Sequence, residues 1–171
     1  GVPCDLTKQV AGDSVEVTCL MEPGQDPHSY QLTAGDRRTL EEADLIVYGG
    51  LGLEEALGQA FEASDVTAIP VFEKAVPDPH VWHDATLGAA SVKVVAEALS
   101  ELNPDAAAEY EERAAAIAQE LETLDGWIRA QIETVPEDRR LLVTAHDAFR
   151  YYAATYGLEV PGTLGNVNHD A

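Results

Sequence analysis

The sequence predicts an α/β protein in which a mostly parallel sheet is covered by helices. Short apolar or alternating runs take turns with amphipathic segments along the chain, the order that strand–helix–strand units produce. A long, uninterrupted helical pattern breaks that alternation past the middle. The 171 residues can bury a real core, as one large domain or as two small lobes.

The segment around Cys4 reads as a helix that turns into a strand at residues 15–20, where V-E-V-T-C-L alternates and is rich in β-branched side chains. Residues 44–48 (D-L-I-V-Y) form a short apolar run closed by Gly49 and Gly50. Further strands are expected at 66–72 and at 141–144, where L-L-V-T follows a charged turn. Between them, residues 34–43, 53–61 and 87–102 carry apolar residues three and four apart and read as helices. Ligands of such sheets bind in the loops beyond the carboxyl ends of the strands.

At residue 103 Asn can cap, Pro104 suits the first helical position, and a helix is expected to run to about Val135. Its apolar residues Tyr110, Ala114, Ile117, Leu121, Leu124, Ile128 and Val135 step by fours and threes. At 1.5 Å per residue it would be about 45 Å long, more than one small lobe needs. It reads as a beam joining two lobes, or as a coiled-coil strand for another chain; Gly126 weakens either helix slightly.

Acidic residues number 31 against 10 basic ones, for a formal net charge of −21. Such a surface repels nucleic acid and anionic headgroups and attracts cations, although an acidic surface alone identifies no metal site. No apolar stretch is long enough to span a membrane. Cys4 and Cys19 fit either a disulfide of an oxidising compartment or a pair of reduced buried thiols, and no C-x-x-C spacing occurs.

Three of the five histidines share a local grammar. His28 lies in D-P-H-S-Y, His80 in D-P-H-V-W, and His146 in T-A-H-D-A-F directly after the strand expected at 141–144. Proline before His28 and His80 restricts the backbone, so each imidazole is offered from a rigid turn. Three neutral imidazoles from separate loops supply three corners of a zinc tetrahedron. Asp26, Asp78 and Asp147 stand beside them in sequence as groups that could fix the ring tautomers. For His83 and His169 the ordinary reading is a surface or core histidine.

The motifs P-G-Q-D-P-H-S-Y-Q-L-T-A-G-D (23–36), A-D-L-I-V-Y-G-G-L-G-L-E (43–54), D-P-H-V-W-H-D-A (78–85), N-P-D-A-A-A-E-Y (103–110) and L-V-T-A-H-D-A-F-R-Y-Y (142–152) occur in this order over nearly the whole chain. Together they resemble the zinc and manganese substrate-binding proteins of ABC importers, cluster A-I of the solute-binding proteins (family 9). The resemblance implies a two-lobed protein with a sheet and helices in each lobe, joined by one long helix. Residues 1–102 would form the metal-binding lobe, 103–135 the linking helix, and 136–171 the start of a second, incomplete lobe.

It further implies a divalent ion, zinc favoured and manganese the alternative, held in the cleft by His28, His80 and His146. Partners would be an ABC permease and its ATPase, and the place periplasmic or otherwise extracytoplasmic, with or without a lipid anchor; the chain would be monomeric and not an enzyme. Compared with the family pattern the chain looks cut at both ends, and a fourth ligand, commonly a carboxylate, would lie beyond Ala171. Water or His83 could fill that corner. The histidine-rich acidic loop of many zinc-specific members has no counterpart, since residues 64–77 contain no histidine.

Three imidazoles favour zinc on ligand softness. Two other readings share the site. Three histidines and an open corner also describe a hydrolytic zinc centre, with Asp147 as a base, although no H-E-x-x-H helix is present. An adhesin or metal chaperone without transport would need the same ligands.

Overall fold

The computed structural model describes residues 1–61, 64–72 and 78–163. The alternation of strand and helix becomes two parallel strands and six helices among these residues, together with four short 3-10 turns. Strand β1 (Ile46–Tyr48) lies beside β2 (Ala68–Pro70), with Ile46 opposite Ala68 and Tyr48 opposite Pro70, and α3 (Glu55–Phe61) makes the crossover. Around this pair stand α1 (Val2–Ala11), α2 (Ala34–Glu42) and α4 (Ala85–Leu102), and α5 (Ala107–Glu133) and α6 (Arg150–Tyr156) follow.

The core sits where α4 meets α1 and α5. Val10 of α1, Val92, Val95 and Leu99 of α4, and Tyr110 of α5 are almost wholly inaccessible. The three α4 contributors fall at helical spacings, so they share one apolar face of α4. Full burial of each such side chain contributes roughly 1.5–3 kcal/mol. A smaller cluster of Leu40, Ile46 and Leu57 sits under the sheet's other face. Gly12 ends α1 at a φ of 58°, and a Cβ there would come within 2.9 Å of the Arg113 guanidinium, which donates to the carbonyls of Val10 and Ala11. Arg113 thereby satisfies carbonyls that the helix end would leave unpaired.

The long helix is present, shorter than expected. Pro104–Ala106 is a 3-10 turn, and the α-helix then covers 27 residues, about 40 Å. Asn103 does not cap it; its side chain donates to the Tyr110 hydroxyl at 3.2 Å. The first half of α5 packs on α4, while Leu124 and Trp127 farther along are exposed. Arg129 ties the far half to α6: it pairs with Asp125, lies over the Tyr156 ring at 5.2 Å, and donates to the Thr155 carbonyl.

Two expected strands turn out differently. Residues 15–20 form no strand, and Cys19 is tied to α1 by a disulfide with Cys4. A cavity of about 700 Å³, lined by Val15, Val17, Cys19, Ile46 and Val47 among others, separates the segment from β1. Among the described residues, 141–144 make two isolated parallel bridges, Leu141 with Glu159 and Thr144 with Thr163. Leu141 and Val143 are 57% and 55% exposed, so little burial rewards a continuous ladder there. Among the described residues no helix is long and apolar enough to cross a membrane.

Candidate metal centre

The D-P-H repeat has a common geometry. In both copies the aspartate accepts a hydrogen bond at 3.0 Å from the backbone N–H of the histidine two residues on, Asp26 from His28 and Asp78 from His80. This is an Asx-type turn, in which a short carboxylate side chain closes the loop that proline has already restricted. His28 then falls inside the 3-10 turn Pro27–Ser29, and His80 immediately precedes the turn Val81–His83. The His28 turn is anchored by Tyr30, whose single hydroxyl proton is shared between Asp36 at 2.9 Å and the Leu20 carbonyl at 3.2 Å; Asp36 also completes the capping box of α2 with Thr33.

His146 arrives from the other side of the chain, four residues before α6. Its carbonyl accepts from the Thr144 hydroxyl at 2.8 Å and from the Ala148 N–H at 2.9 Å, which folds 144–148 into a tight turn.

The three rings converge. His80 Nε2 lies 3.3 Å from His28 Nε2 and 3.1 Å from His146 Nε2, and one ligand atom from each residue lies within 4.8 Å of the other two. A tetrahedral ion with bonds of 2.0–2.1 Å has edges of about 3.3–3.4 Å between its donors. Both separations from His80 Nε2 are close to that figure. His80 is 3% exposed, while His28 and His146 are half-buried, so the cluster has one dry wall and one face toward solvent.

Of the three aspartates expected to orient the rings, Asp78 does so: its Oδ1 is 2.6 Å from His80 Nδ1. That contact leaves Nε2 as the lone-pair nitrogen facing the cluster. Burial pushes the Asp78 carboxyl up, but hydrogen bonds from the His80 ring and backbone, with Arg150 nearby, hold it below the ordinary carboxylate range. Asp26 is engaged by the His28 backbone and the Ser29 hydroxyl instead. Asp147 forms an ion pair with Arg150.

His83 stands apart from the cluster. Its ring stacks on Phe149 with centroids 4.2 Å apart, and burial, then the neighbouring His80, lowers its proton affinity. His169 lies outside the described residues. Sequence reasoning missed Asp84, Tyr151 and Thr155. Asp84 caps α4 by accepting from the N–H groups of Thr86 and Leu87, and its second oxygen accepts from the Thr155 hydroxyl at 2.6 Å. Tyr151 donates to the Asp78 carbonyl at 3.1 Å. Nothing in the local pattern of a serviceable N-cap or of two polar helix residues signals contacts that span more than 70 positions.

The chain is similar to known proteins along nearly its whole length. The zinc-binding protein TroA of Treponema pallidum is 42% identical over 96% of this chain and 58% of its own length. The manganese-binding lipoprotein MntA of Bacillus subtilis is 35% identical over 94% of the chain and 57% of its own. The chain thus spans less than three fifths of these relatives. The solved structure of TroA superposes with a TM-score of 0.89 at 38% identity, covering 99% of this chain and 67% of that one. The Zn(II)-bound ZnuA-like domain of Streptococcus pneumoniae AdcA gives 0.87 at 29%, covering 96% and 64%. These neighbours carry the two-lobed α/β architecture that the sequence predicts. A family model described as the zinc-uptake complex component A, periplasmic, matches residues 1–171, and the chain belongs to that family.

Proposed function

We propose that this protein captures a divalent transition metal outside the cytoplasm and passes it to an ABC permease driven by its ATPase. The observation that carries this reading is the convergence of three imidazole nitrogens from segments far apart in sequence, at separations that suit one tetrahedral ion. Zinc is the favoured cargo on ligand softness, and manganese the alternative, in keeping with the names of TroA and MntA. We assign His28, His80 and His146 as ligands and give the fourth corner to an oxygen donor outside the described residues.

Residues 1–102 act as the metal-binding lobe, 103–135 as the linking helix and 136–171 as part of the second lobe. The disulfide and the relatives' names support a periplasmic or otherwise extracytoplasmic protein; we take it to act as a monomer. Binding rather than hydrolysis is favoured because Asp147, the candidate base of a zinc hydrolase, is held by Arg150. The test is transport: liposomes bearing the cognate permease and ATPase should accumulate zinc only when the loaded protein is supplied. Equal accumulation without it would remove the protein from import.

A further inference from the structure

The rings of the site come from two parts of the chain, so their spacing depends on how α6 is docked against the start of α4. Two side chains of α6, Tyr151 and Thr155, hydrogen-bond across that junction, and their separation of four residues places them on the same helical face. Tyr151 donates to the carbonyl of Asp78, the residue whose carboxylate fixes the His80 ring. Thr155 donates to Asp84, the cap of α4, at 2.6 Å. The two bonds therefore fall on either side of His80 in sequence. The turn that carries His146 feeds directly into α6.

We propose that Tyr151 and Thr155 form a latch that sets the distance from His146 to His80 and so tunes the affinity and geometry of the metal site. They are positioning residues and touch no metal themselves. This rests on the assignment of the three histidines as ligands. A latch that holds the two parts of the chain together lowers the ordering cost of metal binding. Groups hydrogen-bonded to a metal ligand typically change metal affinity by about 10–100-fold when removed, and Tyr151 and Thr155 act one step farther out, through Asp78 and Asp84.

The test is zinc affinity by competition with a chelator, and the absorption spectrum of the cobalt(II) form, in the full-length protein and in Tyr151→Phe, Thr155→Val, Thr155→Ser and the Phe/Val double variant. Each single loss of a hydroxyl should weaken zinc by about tenfold, the double variant by up to about 100-fold, with weaker tetrahedral cobalt bands. Thr155→Ser, which keeps the hydroxyl, should restore both readouts. Should Thr155→Val misfold, Tyr151→Phe carries the test alone. Unchanged affinity and spectrum in folded variants, even with lower thermal stability, would overturn the latch while leaving the ligand assignment standing. Wild-type protein that binds no zinc, or binds it equally well without the three histidines, would overturn the ligand assignment and the latch with it.

Discussion

His146 Nε2 lies 3.1 Å from His80 Nε2 although 66 positions separate the two residues. Two like ring nitrogens at that distance compete for one proton or share one cation, so the pair is poised for a positive guest. His28 Nε2 lies 3.3 Å from the same His80 nitrogen, so a guest held as proposed would have three donors.

Removing the Asp78 carboxylate should weaken that site without removing a ligand. Asp78→Asn still offers an oxygen to the His80 ring but loses the charge that holds the Nδ1 proton. A loss of about 10–100-fold in zinc affinity is expected. Chelator competition measures it, and an affinity within a factor of two of wild type would show that the contact is ornamental.

Acid should release the ion. Ligand imidazoles must be neutral, so protons compete with metal, and affinity should drop at least about tenfold between pH 7.5 and 5.5. Isothermal titration at the two pH values decides this; identical affinities would rule out histidine ligation.

Glu54 should make stability depend on pH in the direction opposite to most carboxylates. It is 6% exposed, and burial pushes its carboxyl up to about 7 despite hydrogen bonds from the backbone N–H groups of Gly49 and Gly50. A raised folded-state value means that the folded protein binds the proton more tightly than the unfolded chain. Its contribution is therefore most favourable below the unfolded value and is lost as pH rises toward 7 and beyond. Glu54→Gln should be more stable than wild type at pH 8 by about 1–3 kcal/mol, with the gap closing toward pH 5. Urea unfolding at both pH values checks this; a gap that widens in acid would contradict it.

The disulfide between Cys4 and Cys19 closes a loop with a sequence separation of 15. In the chain-entropy view it contributes about 3 kcal/mol by restricting the unfolded chain. The Cys4→Ser, Cys19→Ser double variant should show a lower urea midpoint with zinc stoichiometry unchanged, since neither sulfur belongs to the histidine cluster. A loss of zinc binding at native pH would mean that the segment from 15 to 21 supports the site.

The parts of this picture legible in sequence are those set by local chemistry. D-P-H is a turn with its own internal hydrogen bond, so two copies announced two presented rings before any fold was known. The T-A-G-D start of α2 is likewise a cap readable from four residues. What stayed hidden depends on distant company. The β-branched run at 15–20 has strand composition, but its neighbour across the cavity is not its hydrogen-bonding partner. Asn103 has the chemistry of a cap and spends it on Tyr110, seven residues away. Tyr151 meets Asp78, and Thr155 meets Asp84, only because α5 doubles the chain back on α4, and no local pattern encodes those meetings.

The most direct test is a competitive titration of zinc and manganese into wild-type protein and into the His28→Ala, His80→Ala, His146→Ala triple variant. One tightly held ion per chain, zinc displacing manganese, and loss of binding in the triple variant are the results predicted here. Equal binding by the triple variant would show that the three rings are structural, and the ion would have to be sought elsewhere.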